Sequence, residues 1–391
     1  MADHALDVRV AQDSPAPLRA AFTCDAGRVL ALVGPAGSGK TRLLRCIAGL
    51  DRPQRGRIVC RGSTWIDTNE RISLPAQARR VGLVFQNYAL FPHLSAEDNV
   101  MAAMTEVAPA ERVRRARALL ARVHLAGLNR RLPGDLSSAQ RQRVAVARAL
   151  ARDPQVLLLD EPFAAVDRMA RRTLHVELAE MRRHLDMPVV LATDDLDEAA
   201  MLADEICILH RGRTLQQGRP LHVMSRPASM QVARLVGVRN VHAARVVAHE
   251  AEFTIIDWEG TRLEARHAPQ FEVGKRIAWA LPSDGVIVHR RDRPSRSEHE
   301  NPLKGSVAQF LPLGAQAELV INVNRRSEMA LRTSMPLHVA ARNRIAAGEE
   351  VGVSLLASSV HLMPWQETGD GAATGRDHES TVPHPASSRT R

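Results

Sequence analysis

Lysine is almost missing from this chain. Three lysines stand among 53 basic residues, which leaves 50 arginines, and Lys40 is the only one before Lys275 and Lys304. The scarcity marks position 40. A compact ammonium on a flexible stem fits among phosphate oxygens where a planar guanidinium does not. Aromatic residues make up 3% of the chain, too few for the stacking platforms that hold single-stranded nucleic acid. No apolar run approaches the roughly 18–20 residues of a membrane helix. Asp3 and Asp7 interrupt the N-terminus, so no signal peptide is expected. The four cysteines, Cys24, Cys46, Cys60 and Cys207, include no C-x-x-C pair, which argues against zinc and dithiol chemistry. Cys46 and Cys207 stand in apolar runs and read as buried thiols. The sixteen histidines show no metal-ligand spacing. The net charge of +10 comes from arginines interleaved with acids, a solvated surface rather than a basic patch for nucleic acid or lipid. What remains is ordinary globular composition, 45% hydrophobic and 25% charged, with length for two or three domains.

What is present begins at Gly34-Pro35-Ala36-Gly37-Ser38-Gly39-Lys40-Thr41, a full G-x-x-x-x-G-K-[ST] phosphate loop. The apolar run 28–33 precedes it, and Leu43, Leu44, Ile47 and Ala48 follow at helical spacing. Strand, glycine loop and helix form the context the motif requires. The glycines (Gly34, Gly37, Gly39) let backbone N–H groups turn toward phosphate, and the helix N-terminus adds partial positive charge. Lys40 is placed for the β- and γ-phosphates and the Thr41 hydroxyl for Mg²⁺. A second run, Gln155 to Leu159, ends in Asp160, Glu161 and Pro162. An all-apolar strand suits a parallel sheet covered on both faces. Asp160 at its tip is expected to hold the Mg²⁺ shell, and Glu161 to polarise a water against the γ-phosphate.

Between these sites lies Leu136-Ser137-Ser138-Ala139-Gln140-Arg141-Gln142-Arg143-Val144-Ala145-Val146-Ala147-Arg148-Ala149-Leu150. It resembles the L-S-G-G-Q signature segment of ATP-binding cassette (ABC) transporter subunits. Residues Val84 to Leu94 resemble the Q-loop region of importer subunits, and Phe163 to Asp167 the D-loop. The resemblance spans about residues 5–235, with five motifs in order. It implies ATP as substrate and Mg²⁺ as cofactor, with Thr41, Gln86 and Asp160 around the metal. Two nucleotide domains are implied to pair head to tail, Ser137, Ser138, Ala139 and Gln140 of one copy meeting the ATP of the other, with Asp167 in the D-loop. The partners implied are a membrane permease, a second nucleotide-binding subunit in a homo- or heterodimer, and indirectly a solute-binding protein. The location implied is peripheral, on the cytoplasmic face of the inner membrane, and no nucleic acid is expected.

Two departures from that pattern matter. The paired glycines of the signature are Ser138 and Ala139, and a Cβ there obstructs close approach to a phosphate. The switch histidine, which follows an apolar strand in the family, is replaced by Asp194 after Val189-Val190-Leu191-Ala192-Thr193. A histidine donates to the γ-phosphate; an ionised aspartate only accepts and repels it. A lost transition-state donor costs on the order of 10²–10³ in rate. A working but impaired ATPase is the expectation, with a degenerate subunit beside a complete one, or an ATP- and oxyanion-sensing regulator, as alternatives. Phe22, the only aromatic before the loop, alternates with apolar neighbours and reads as core, so the adenine contact is unassigned.

The expected organisation is an α/β P-loop NTPase over residues 1–237, with a helical subdomain at about 96–150. An all-β domain follows at 238–366, in two halves joined by a linker at 290–302, and then a disordered tail at 367–391. The short alternating strands after 238 suggest a small barrel. They resemble the oligonucleotide-fold-like regulatory domain of importer ATPases, called TOBE. The loop from Trp65 to Pro75, running into Arg79 and Arg80, is similar to that of molybdate importers. Molybdate or a related oxyanion is therefore the first expectation for the solute, ahead of sulfate, polyamine or iron.

Overall fold

The computed structural model describes residues 4–164, 166, 168–182, 185–289 and 299–366, with the side chains at 168–170, 179 and 181 excepted. Asp167, residues 290–298 of the expected linker and the tail from 367 lie outside the described residues.

The first part of the chain builds one eleven-stranded sheet. Its strands are β1 Leu6–Gln12, β2 Leu18–Cys24, β3 Val29–Val33, β4 Arg55–Cys60, β5 Ser63–Asp67, β6 Ile72–Ser73, β7 Val81–Val84, β8 Val156–Asp160, β9 Val189–Thr193, β10 Glu205–His210 and β11 Arg213–Gly218. The helices are α1 Lys40–Ala48, α2 Ala96–Met101, α3 Pro109–Arg122, α4 Ser138–Leu150, α5 Arg168–Arg182, α6 Leu196–Leu202, α7 Pro220–Ser225 and α8 Met230–Leu235. The spatial order is β6-β5-β4-β1-β2-β11-β10-β3-β9-β8-β7. Strands β10, β3, β9, β8 and β7 pair in parallel, while β1, β2, β4, β5 and β6 form an antiparallel wing.

Every residue of β3, β8 and β9 is buried, as a parallel sheet covered on both faces requires. Strand periodicity sends alternate side chains to opposite faces. Leu30 and Leu32 of β3 join α1 residues Leu43, Leu44 and Ile47 in one core. Val29, Ala31 and Val33 join α4 and α6 in the other. Phe22 lies in the first core, and all four cysteines are buried thiols. The carboxyl ends of β3, β7, β8 and β9 therefore share one edge, the edge at which open α/β sheets place ligands.

The second part has β12 Asn240–His249, β13 Phe253–Trp258, β14 Thr261–Arg266, β15 Arg276–Leu281, β16 Val286–His289, β17 Pro302–Leu313, β18 Gln316–Val323, β19 Ala330–Pro336, helix α9 Leu337–Arg342, β20 Glu350–Leu355 and β21 His361–Pro364. The expected barrel takes the form of two five-stranded sheets, β14-β13-β12-β15-β21 and β16-β20-β17-β18-β19. The division into two halves at 290–302 is not how the strands pair. β16, from before that segment, joins the later sheet through β20. β21, from the chain's end, joins the earlier sheet through β15. One core holds both sheets, with Trp258, Trp279 and Leu281 against Leu319 and Ile321. Exchanging strands lets each half close the other's apolar face, which neither could bury alone. Ala278, Ala280 and Met363 pack into the α/β core and seat this domain on the first.

Candidate active site

The loop after β3 is shaped by backbone that only glycine accommodates. A Cβ on Gly34 would stand 2.0 Å from the Leu209 carbonyl oxygen, so the chain passes here only without a side chain. Gly37 and Gly39 take φ of 76° and 104°, the left-handed region that glycine enters without strain. The turn after β10 supports the loop, where the Gly212 N–H donates to the Ser38 carbonyl at 2.8 Å. Lys40 is 4% exposed. Its Nζ donates to the carbonyls of Gly34 at 2.8 Å and Pro35 at 3.3 Å, and lies 3.4 Å from Glu161 Oε1.

The carboxylates at the end of β8 meet this loop. Thr41 Oγ1 donates to Asp160 Oδ1 at 3.0 Å. Burial holds the Asp160 carboxyl above the ordinary carboxylate range, and the Thr41 hydroxyl works against that shift. Glu161 adopts φ 43°, and its Oε2 accepts from Gln86 Nε2 at 2.8 Å. Gln86 follows β7, so three strands and the phosphate loop converge on one group of side chains. A hydroxyl beside a carboxylate is a hard-oxygen donor set of the kind Mg²⁺ takes. Ser38 Oγ is buried and has no partner among the described residues, as suits a donor to a phosphate oxygen. The expected residues fit ATP and Mg²⁺.

The residue expected at the switch position is placed differently. Asp194 is exposed and makes no hydrogen bond or ion pair among the described residues. Its neighbours are organised. Asp195 caps α6 by accepting from the Glu198 N–H at 2.9 Å, and Arg171 reaches to 3.9 Å of its carboxylate. Glu198 is 5% exposed. It accepts from the Thr193 hydroxyl and lies 3.0 Å from His175 Nε2. His175 packs edge-on against Phe163, ring centroids 4.6 Å apart. A buried chain thus runs from the end of β9 through Glu198 and His175 to Phe163, two residues past Glu161. Burial raises the Glu198 carboxyl while the hydroxyl and imidazole oppose it. Sequence reasoning missed His175 and Glu198 because neither lies in a motif. The available signal was a histidine beside Leu174 on the apolar face of α5.

The signature forms a capped helix start. Ser137 Oγ accepts from the Gln140 N–H at 3.2 Å and Gln140 Oε1 from the Ser137 N–H at 2.9 Å, a reciprocal capping box. The N–H groups of Ser138 and Ala139 have no partner among the described residues. Arg141 reaches Ser138 Oγ at 3.3 Å, and Ala139 packs against the core. No hydrogen bond or ion pair among the described residues links these four residues to the phosphate loop. At its other end, α4 holds the segment after Gln86. Arg148 donates to the carbonyls of Ala89 at 2.7 Å and Tyr88 at 2.8 Å, and Asn99 holds Phe91 through both its N–H and its carbonyl.

Residues 19–164 match the family model described as ABC transporter. The chain is similar to the spermidine/putrescine import ATP-binding protein of Oleidesulfovibrio alaskensis, 34% identical over 306 residues, covering 77% of this chain and 79% of that protein. It is 40% identical over 298 residues to the protein of the same name in Methylococcus capsulatus, covering 75% and 74%. It is 41% identical over 239 residues to an Fe(3+) ions import ATP-binding protein of Rhizobium meliloti, covering 60% and 66%. Among solved structures it is similar to cbiO1 from Clostridium perfringens, part of the ABC transporter complex cbiONQ, with TM-score 0.50, 28% identity and coverage of 61% and 96%.

Proposed function

The chain belongs to the ABC transporter ATPases as the ATP-binding subunit of an importer, and on that premise we propose how its site works and what it moves. Lys40 and the loop N–H groups hold the β- and γ-phosphates. Glu161 orients the attacking water, with Gln86 fixing its second carboxylate oxygen. Thr41 and Asp160, with Gln86 nearby, would hold Mg²⁺, which when bound would neutralise phosphate charge. The observation that carries the reading is the convergence of Lys40, Thr41, Gln86, Asp160 and Glu161 at one sheet edge. Ser137 to Gln140 then serve a second copy, head to tail, because the N–H groups of Ser138 and Ala139 have no partner among the described residues and no hydrogen bond or ion pair among those residues joins the segment to the phosphate loop of its own chain. Closure of that pair drives a separate membrane permease.

Turnover is slow in this reading, because Asp194 brings no donor to the γ-phosphate and Ser138 and Ala139 crowd the partner's. The test is ATP hydrolysis by the purified protein beside Asp194→His. Histidine should raise the rate by on the order of 10²-fold. A wild-type rate well above background that histidine leaves unchanged would refute impairment.

The solute is a polyamine rather than the oxyanion expected from the loop after Trp65. The relatives that correct that expectation import spermidine/putrescine or Fe(3+) by name. Polyamine ranks ahead of iron because its two relatives align over about three quarters of this chain, and so into the β domain, whereas the iron relative aligns over 60%. Uptake of labelled putrescine and of Fe(3+) by cells with and without this chain decides between them. Loss of iron uptake alone would reverse the order.

A further inference from the structure

A cavity of about 490 Å³ lies apart from the nucleotide site, between the helical subdomain and α5. That volume is within the range of small-molecule pockets. Val123, just past α3, Val146 of α4 and Leu174 of α5 are buried apolar residues of its wall. Three polar side chains that are not fully exposed line it as well, Gln142, Arg143 and Glu177. Gln142 is 4% exposed, and its Oε1 has no hydrogen-bond partner among the described residues. Glu177 is paired through Oε1 with Arg143 at 2.6 Å, yet its Oε2 is buried without a partner. A buried acceptor left without a donor costs about 1–3 kcal/mol. Arg143 Nε is likewise buried without a partner among the described residues, so the wall combines an apolar surface with two acceptors that lack donors and one donor that lacks an acceptor. Arg122, His124 and Glu180 are exposed residues of the opening, where water screens them.

We propose that this cavity is a regulatory site for a small amphipathic amine or amidine. Its N–H donors satisfy Gln142 Oε1 and Glu177 Oε2, and its apolar body lies on Val123, Val146 and Leu174. The occupant bridges α4, which begins at the signature serines, and α5, which carries His175. By bracing the helix that starts at the signature against the helix that carries His175, it changes turnover.

Benzamidine is a suitable probe, with benzoate as its anionic counterpart, titrated against the full chain by ligand-observed NMR and by thermal melting. Saturable benzamidine binding that raises Tm is expected, with none for benzoate. Gln142→Met and Glu177→Gln should each weaken it about tenfold. Leu178→Trp, from half-buried Leu178 at the wall, should fill the cavity and abolish binding. Lys40→Ala, which disables the phosphate loop, should leave benzamidine binding intact, so this site and the ATPase reading fail separately. Equal binding of benzoate, or affinity unchanged in folded Gln142→Met, Glu177→Gln and Leu178→Trp proteins, would overturn the site. Saturation of the wild type with no change in ATP turnover would overturn its regulatory role.

Discussion

Single residues at the edge of the sheet carry opposed demands of stability and chemistry. Asp160 is the plainest case. Its folded pKa stands above the ordinary carboxylate value because burial disfavours the charge. A carboxyl raised in this way contributes stability below its unfolded pKa and loses it as pH rises through the folded value, so at neutral pH the buried anion is a net cost. Asp160→Asn should therefore raise the Tm of the nucleotide-free protein at pH 7 while lowering ATP turnover to background, measured by calorimetry and a phosphate-release assay. Glu161→Gln separates binding from chemistry. It should keep ATP affinity and lower turnover by about 10²–10⁴, and ATP should then hold a dimer that size-exclusion chromatography detects. Lys40, Thr41, Asp160 and Glu161 were legible from their order in the chain, because each sits in a motif whose chemistry demands that residue type. His175 and Glu198 were not. Their roles come from burial against Thr193 and Phe163, which no spacing in the sequence displays.

At the scale of elements, α4 connects two parts of the site. Its first turn is the signature with its capping box, and its last turn holds the segment after Gln86 through Arg148. Tyr88 and Ala89 both take positive φ, 64° and 46°, and Arg148 satisfies their carbonyls. Arg148→Ala removes two charge-assisted hydrogen bonds and should lower stability by on the order of 2 kcal/mol, seen as a reduced urea midpoint. Ser137→Ala removes the cap and should cost about 1 kcal/mol, checked the same way. Helices α3 and α4 are readable from apolar spacing, through Val113, Ala116, Leu119, Leu120 and Val123 and through Val144, Ala147 and Leu150. The joint between Arg148 and Tyr88 is not, since sixty residues separate them and only the packing of α4 beside β7 brings them together.

At the scale of the whole molecule, the β domain has its own core and meets the α/β core through Ala278, Ala280 and Met363, and its stability is expected to depend on pH. His242 lies between Trp258 and Trp279, ring centroids 4.9 and 5.1 Å away, and burial pushes its imidazole down to about 4. A base depressed below its unfolded value contributes stability that is complete above the ordinary pKa near 6.5 and lost as pH falls toward 4. His242→Phe should flatten that part of the stability profile by up to about 3 kcal/mol between pH 7 and 4. Denaturant titrations of both proteins across this range measure it, and parallel profiles would show that His242 is not the group responsible.

The order of motifs along the chain determined the nucleotide chemistry, the parallel sheet and the importer family. A phosphate loop, an apolar strand ending in Asp160 and Glu161, and a capped signature helix each require particular residues at short range. Tertiary structure alone decided how β16 and β21 exchange between the two β sheets, how Leu209 and Gly212 brace the phosphate loop, and how His175 reaches Glu198. Those pairings join residues far apart in the chain, and they are selected by which apolar faces and buried polar groups remain to be satisfied once the local elements have formed.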